Sequence, residues 1–461
     1  MRLACGGSLK SASLTGLRRD RPRVLLIAEA ANPEWMSVPL EGWSHASALR
    51  DVVDAHVVTQ IRNRDAILRA GWREGSDFTA INSEGLARPL QTAAKVLRFG
   101  TQKGWTTATA LALPSYYYFE RLVWRRLGRR IIAGEFDVVH RITPLSPTIP
   151  SMIAAKCANA GVPFVWGPVN GGVPWPKGFD AVRRKEREWL SYIRGVHRMM
   201  PGYHATRRHA SAIIVGSLDT LRQVPSAYRN KCVYIPENGI DPARFSTKVD
   251  RRVVAPLRVA FVGRLVPYKG ADMLIEAAAA LVRDDKLVID IVGDGPEMPR
   301  LQALVTKEKI GGGVRLDGAV EHRNLQRRLV QSDVFGFPAV REFGGAVVIE
   351  AMALGLVPVV VNYAGPGELV TEDTGFRIPM GSRQDIIRRL REILGDLAGC
   401  TDRIRGMGDR ARQRVFEHFT WDVKAQQVAT VYDWALHRCE QKPVFDMLPA
   451  DQRARFEEAI G

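Results

Sequence analysis

Two cations and two carboxylates stand out as groups able to do chemistry, because each lies beside glycines just beyond an apolar run. In VGRLVPYKG (262–270) the run ends at Gly263 and delivers Arg264 and Lys269 into a loop ahead of a helix. Ligands of open α/β sheets gather at the carboxyl ends of the strands, where two such cations can meet phosphate oxygens. The plainer reading is a pair of solvated surface cations, which are common in loops. In EFGGAVVIEAMALG (342–355), Gly344 and Gly345 allow close backbone approach at the start of a short helix. Its free amides and dipole favour an anion. Glu342 precedes that helix, and Glu350 lies four residues after Ala346, on the face that carries the first amides. A carboxylate accepts hydrogen bonds from paired hydroxyls, so one acid suits a sugar and the other a ribose. The alternatives for Glu350 are an acid snorkelling out from an apolar helix and a structural pairing with an Arg, since an acid among apolar neighbours needs a partner.

Two further pieces carry less information. VGDGPE (292–297) is a turn at a strand end whose glycine pair falls short of a dinucleotide fingerprint. ENGID (237–241) places Asn238 and Gly239 in a turn leading to Pro242.

The elements that must position these groups are legible in the alternation of apolar runs with helical periodicity. Strands are expected at 23–30, 55–61, 137–142, 163–169 and 212–217, and a second series at 257–265, 287–295, 314–320, 333–340 and 357–363. Continuous apolar strands alternating with helices imply parallel sheets covered on both faces. The fold class is therefore α/β with two Rossmann-like domains, their sheets facing across a cleft. Residues 1–20 read as a loose tail without the apolar core of a signal peptide, 21–245 as the first domain, 246–256 as a linker, and 257–419 as the second domain, which the resemblance given below makes the acceptor side and the nucleotide-sugar side respectively. Trp421, Val428, Val431, Tyr432 and Leu436 share one helix face within 420–440, so that helix is expected to pack back across the junction, leaving 441–461 as a peripheral tail. The apolar stretch 345–361 is interrupted by Glu350, Gly355 and Pro358 and reads as helix, turn and strand rather than a membrane span.

A chain of 461 residues with 46% hydrophobic and 25% charged residues fits two folded domains. Its net charge of +17 is lopsided: residues 1–230 hold 33 Lys and Arg against 17 Asp and Glu, while 231–461 hold 33 against 32. Such a field suits nucleic acid, an anionic membrane or a phosphorylated substrate. The five cysteines are scattered, without the spacing of a disulfide framework or a zinc site, which points to a reducing, cytoplasmic setting.

In the order NGID, GRLVPYKG, GDGPE, EFGGAVVIEAMALG, the second half resembles the family 4 retaining glycosyltransferases of GT-B fold. The resemblance is densest over 237–379, and its most specific element is the pair Glu342 and Glu350 with seven residues between them. By that resemblance Arg264 and Lys269 bind the donor diphosphate, Glu342 the transferred sugar and Glu350 the ribose. The backbone at Gly263, Phe343, Gly344, Gly345 and Ala346 meets sugar and phosphate oxygens, and Gly318, Ala319 and Val320 lie near the base. No metal or other cofactor is implied; the nucleoside-diphosphate sugar is the donor substrate. Transfer would proceed with retention, by front-face attack in which the leaving phosphate oxygen takes the acceptor proton.

The first half departs from the family pattern. It offers only Gly42 in PLEGWSH (39–45) where relatives carry a glycine pair, and His140 is followed by Arg141 and Ile142 where many have His-x-His. His140 is either a sugar contact or a structural strand-end histidine.

Two stretches of the first half are both basic and rich in aromatics. Residues 95–130 contain Lys95, Arg98, Lys103, Arg121, Arg125, Arg126, Arg129 and Arg130 with Trp105, Tyr116, Tyr117, Tyr118, Phe119 and Trp124; residues 183–208 are similar. They suit the headgroup zone of an anionic membrane, or else a solvated face whose aromatics belong to the core. The chain is thus expected to move a sugar to a saccharide or lipid-linked acceptor in surface polysaccharide or glycolipid synthesis, at the inner face of the cytoplasmic membrane. No nucleic-acid recognition pattern is present. The alternatives are a sugar-nucleotide epimerase of the same fold and a non-catalytic basic binding protein.

Overall fold

In the computed structural model, which describes residues 21–85, 88, 105–185, 196–245, 254–400 and 402–460, the apolar runs become two parallel sheets. The first contains β1 (Arg23–Ala28), β2 (Asp54–Gln60), β3 (Phe78–Ile81), β4 (Val138–Thr143), β5 (Phe164–Val169), β6 (Ala212–Val215) and β7 (Cys232–Tyr234). Their order across the sheet is β3-β2-β1-β4-β5-β6-β7. The second contains β8 (Leu257–Val262), β9 (Leu287–Val292), β10 (Val314–Leu316), β11 (Val334–Phe337), β12 (Val357–Asn362) and β13 (Phe376–Pro379), in the order β10-β9-β8-β11-β12-β13. Both orders reverse beside their first strand, at β1/β4 and at β8/β11. Loops leaving the two strands of such a switch point diverge and open a crevice for ligand.

Burial explains why the runs are strands. β4, β5, β6 and β11 are buried at every position, as expected where helices cover both faces of a sheet. β3, β7 and β13 are not among the strands expected from sequence, because their three or four residues are too few and too mixed to show a pattern. In the second domain, helix Ala271–Arg283 buries Met273, Leu274, Ile275, Ala277 and Ala278. The stretch 345–361 resolves into helix Ala346–Ala353, a turn and β12. Among the described residues no helix is long and apolar enough to cross a membrane.

The chain crosses between the domains twice, and the two crossings are joined. Ile240 donates its amide to Phe419 O at 2.9 Å, and Trp421 donates to Ile240 O at 3.0 Å. Thr420 then caps helix Trp421–Ala435 by accepting from Val423 N, and this helix packs on helix Val38–Val52 of the first domain. Helix Trp421–Ala435 thus lies against the first domain.

The expectation of a peripheral tail over 441–461 is corrected by the structure. Met447 and Leu448 are buried, and helix Ala450–Ile460 touches both domains. Gln452 donates to Asn362 Oδ1 and Gly367 O, each at 3.0 Å, while the Phe456 ring lies 6.1 Å from that of Tyr234 at the end of the first sheet. Gln452 and Phe456, four apart, face inward together, a spacing too sparse to identify a packed helix from sequence. Residues 1–20 and the linker positions 246–253 lie outside the described residues.

Candidate functional site

The loops that leave β8, β9 and β10 converge, and glycine makes the convergence possible. Gly293 has φ of 149°, and a Cβ there would collide with the backbone oxygen of Gly263. Its amide donates to Gly318 O at 2.7 Å. The VGDGPE turn also braces the Arg264 loop: Leu265 N donates to Asp294 O at 2.9 Å and Glu297 N to Leu265 O at 3.1 Å. The turn therefore supports the Arg264 loop from behind. Gly263, Gly293 and the 318–320 loop, far apart in sequence, come to one edge of the crevice.

Across the switch point, Lys269 and Glu342 form an ion pair. Each side chain keeps 17% of its exposure, so the pair lies at the crevice floor. Lys269 also lies 5.3 Å from the centroid of Phe337. Burial pushes its ammonium down to about 7, while the adjacent carboxylate favours the charged form. Removing a cation from water in this way leaves it in search of anionic ligands, which a diphosphate would supply. Arg264 instead is exposed, and among the described residues it enters no ion pair. It stands as a free arm at the mouth.

Glycine likewise shapes the second loop. Gly345 has φ of 69° and caps helix Ala346–Ala353. A β-carbon at Gly344 would overlap the side chains of Glu237 and Asn238, which belong to the first crossing. The start of this helix therefore faces the opposite domain across the crevice. Glu350 is half-buried on the helix, and Phe343 and Ala346 are half-buried beside its start. Lys269 and Glu342 are thus brought together, Arg264 lies on the Lys269 loop, Glu350 lies on the helix that follows Glu342, and Val320 is partly buried against the core.

On the first-domain side, the N-terminus of helix Val38–Val52 sits on the ends of β1 and β4. A Cβ at Gly42 would strike Ala30 O and crowd Thr143 Cγ2 at 2.9 Å. Beside it lie two acids and a lysine that the sequence did not single out. Glu237 accepts from Asn170 Nδ2 at 2.7 Å on both oxygens. Burial pushes Glu237 and Glu41 up, and Lys424, whose ammonium donates to Pro236 O, is driven down to about 7. Their chain separation hides this grouping; only the joined crossings assemble it.

His140 is the site expectation that the structure corrects. It is fully buried, with Nε2 donating to Gly167 O at 2.5 Å and Nδ1 accepting from the Tyr432 hydroxyl at 2.6 Å. The carbonyl can only accept, which assigns the proton to Nε2. Burial holds the imidazole down at about 4. Both nitrogens are committed inside the protein, so His140 joins β4 to the returning helix rather than facing a ligand.

Helix Trp105–Ile132 divides its aromatic and basic residues between two faces. Tyr116, Phe119, Val123 and Leu127 are buried, whereas Arg121, Arg125, Arg126 and Arg129 are exposed. Arg130 is held by Glu135 at 2.6 Å. The aromatics of this helix thus belong largely to the core. Lys95, Arg98, Lys103, Arg187, Trp189, Tyr192 and Arg194 lie outside the described residues.

Comparison with known proteins bears on the same half of the chain. The sequence model of the family described as Glycosyl transferases group 1 matches residues 247–414. The glycogen synthase of Mycobacterium tuberculosis is 30% identical over 213 residues, 46% of this chain and 50% of that protein. A Corynebacterium glutamicum GDP-mannose-dependent monoacylated alpha-(1-6)-phosphatidylinositol monomannoside mannosyltransferase is 29% identical over 296 residues, covering 61% of this chain and 73% of the relative. The latter apart, the chain spans about half the length of the leading curated relatives it matches. In fold it is similar to Anabaena HepE, solved with UDP and glucose, at 17% identity and a TM-score of 0.56 over 89% of this chain and 99% of the other. Residues 247–414, which carry the converging glycine loops and the Lys269–Glu342 pair, match the model of the group 1 glycosyl transferases, within a chain whose fold is that of the GT-B glycosyltransferases.

Proposed function

We propose that the chain is a glycosyltransferase that takes a sugar from a nucleoside-diphosphate donor and transfers it, with retention, to a saccharide or lipid-linked acceptor. The observation that carries this reading is the meeting of Lys269 and Glu342 at the β8/β11 switch point, beside the start of a glycine-capped helix. Lys269 and Arg264 receive the diphosphate, whose charge grows as the glycosidic bond breaks, and the amides at Gly344 to Ala346 add fixed dipoles. Glu342 accepts hydroxyls of the transferred sugar, and Glu350 those of the ribose. With the leaving phosphate oxygen taking the acceptor proton, no separate base is required. The names of the relatives, a glycogen synthase and a lipid mannosyltransferase, agree with a polyhydroxyl acceptor.

The acceptor is proposed to be anionic or carried on an anionic membrane, visited reversibly at its cytoplasmic face. This rests on the surplus charge of the first half and on the exposed stripe Arg121, Arg125 and Arg129 with Arg126. The burial of Tyr116 and Phe119 favours electrostatic contact over insertion. Thermal-shift measurements with UDP-, GDP- and ADP-sugars test the donor assignment: one base should raise the melting temperature in a concentration-dependent way. No shift with any nucleotide at millimolar concentration counts against it. Donor supplied alone should give at most slow hydrolysis.

A further inference from the structure

The segment Gly171–Phe179, C-terminal to β5 of the first domain, lies against the second domain on both donor-site loops. The Trp175 ring meets Tyr268 edge-on, with centroids 5.9 Å apart and planes at 88°. Tyr268 immediately precedes Lys269. On the other loop, the Arg341 guanidinium lies 4.7 Å from the Trp175 centroid and 5.4 Å from that of Phe343, and Arg341 and Phe343 flank Glu342. Arg341 Nε also donates to Val173 O at 3.4 Å, and the Tyr363 hydroxyl donates to Pro174 O at 2.7 Å. Trp175 is 8% exposed although it belongs to a segment without regular structure.

The root of the segment is also tied down. Gly172 has φ of 68°, and Gln223 Nε2 donates to Gly171 O at 3.0 Å. Helix Leu218–Gln223, which supplies that glutamine, is in turn held to the second domain: Leu218 N donates to both oxygens of the Glu368 carboxylate, at 3.0 and 3.1 Å. The segment is therefore a braced arm rather than a loose loop.

We propose that Trp175 is a positioning residue that sets Lys269 and Glu342 in register when the domains close. Edge-to-face rings and a guanidinium over an indole are directional contacts, and together they hold the two loops at one separation. Within the two loops the Val340 amide donates to Tyr268 O at 2.9 Å and Lys269 pairs with Glu342, and Trp175 adds to these a brace from the first domain that contacts both loops at once. The inference rests on the donor-site reading above for its effect on turnover, but its structural part is independent of that reading.

Three variants of the full chain and two readouts test it. Trp175→Ala should lower kcat at least tenfold and raise the donor KM several-fold, with a melting temperature within a few degrees of the parent. Trp175→Phe, which keeps an aromatic edge, should regain at least a third of the turnover. Arg341→Lys keeps the charge but loses the planar face, and should share part of the loss even where the alanine variant does not fold. Hydrogen exchange of the amides at 265–270 and 341–345, measured without nucleotide, should accelerate at least fivefold in the alanine or lysine variant. Unchanged exchange in both loops overturns the proposal whatever the donor proves to be. Kinetic constants within twofold of the parent in all three variants overturn it as well. Accelerated exchange in a chain that binds no nucleotide upholds the arm and refutes the donor assignment instead.

Discussion

Lys269 and Glu342 reach one another from loops on opposite sides of the β8/β11 switch point, and their ion pair ties those loops together. A pair at the bottom of a crevice does more than stabilise the fold. Burial lowers the Lys269 ammonium to about 7, and on the proposed reading a diphosphate claims that cation and leaves the Glu342 carboxylate to turn toward hydroxyls.

Donor binding should therefore depend on pH with a definite sign. Free Lys269 is charged below about 7 and increasingly neutral above it. A bound diphosphate favours the ammonium and raises its pKa, so binding above that pH takes up a proton, and affinity falls as pH rises, by up to about tenfold per unit. Titration calorimetry at pH 8 in two buffers of different ionisation enthalpy should show uptake approaching one proton. Lys269→Ala should abolish both the uptake and most of the transfer, by about a hundredfold or more. Proton uptake that persists in this variant would assign the effect elsewhere.

Glu350 tests the division of labour between the two acids. Glu350→Gln should weaken binding of the free nucleoside diphosphate by about tenfold, as expected when a charged hydrogen bond becomes neutral, and leave kcat at saturating donor within a few-fold. Glu342→Gln should do the reverse. Equal dissociation constants for the parent and Glu350→Gln would remove the ribose role.

For His140 the expected effect is on stability. His140→Ala leaves the Tyr432 hydroxyl and the Gly167 carbonyl without their partner, at a cost of about 2–4 kcal/mol. The imidazole is depressed from 6.5 to about 4, so the folded state gives up its stabilising contribution as pH falls through that window. Denaturation profiles from pH 7 to pH 4 should therefore be flatter in the variant. Turnover of the folded variant at low temperature should stay within a few-fold; a hundredfold loss without destabilisation would restore His140 to the site.

Vesicle flotation addresses the basic face. Binding to anionic liposomes should be lost at high salt and on replacing Arg121, Arg125, Arg126 and Arg129 together by Gln, since each cation near the surface contributes about 1 kcal/mol. Arg130, already engaged by Glu135, should matter little when replaced alone. Equal recovery with neutral and anionic vesicles would exclude an electrostatic contact.

Much of this protein was decided locally along the chain. Apolar runs such as VVHRIT and VPVVVN are buried in the interiors of the sheets, and glycines mark where backbones must approach. The positions of Arg264, Lys269 and Glu342 at strand ends could be read from sequence because the α/β rule concerns local order: the loop after a parallel strand emerges at the carboxyl edge of its sheet. Distance in sequence concealed the remainder. That His140 is enclosed by Tyr432, that Glu237 meets Asn170 and Lys424, and that Gln452 and Phe456 bridge the domains all depend on the crossings at Ile240 and Thr420 lying side by side. Trp175 shows the limit most plainly: an indole in a segment without periodicity acquires its partners, Tyr268 and Arg341, only when the second domain closes over it, because packing and desolvation are properties of the assembled surfaces and not of any one stretch of chain.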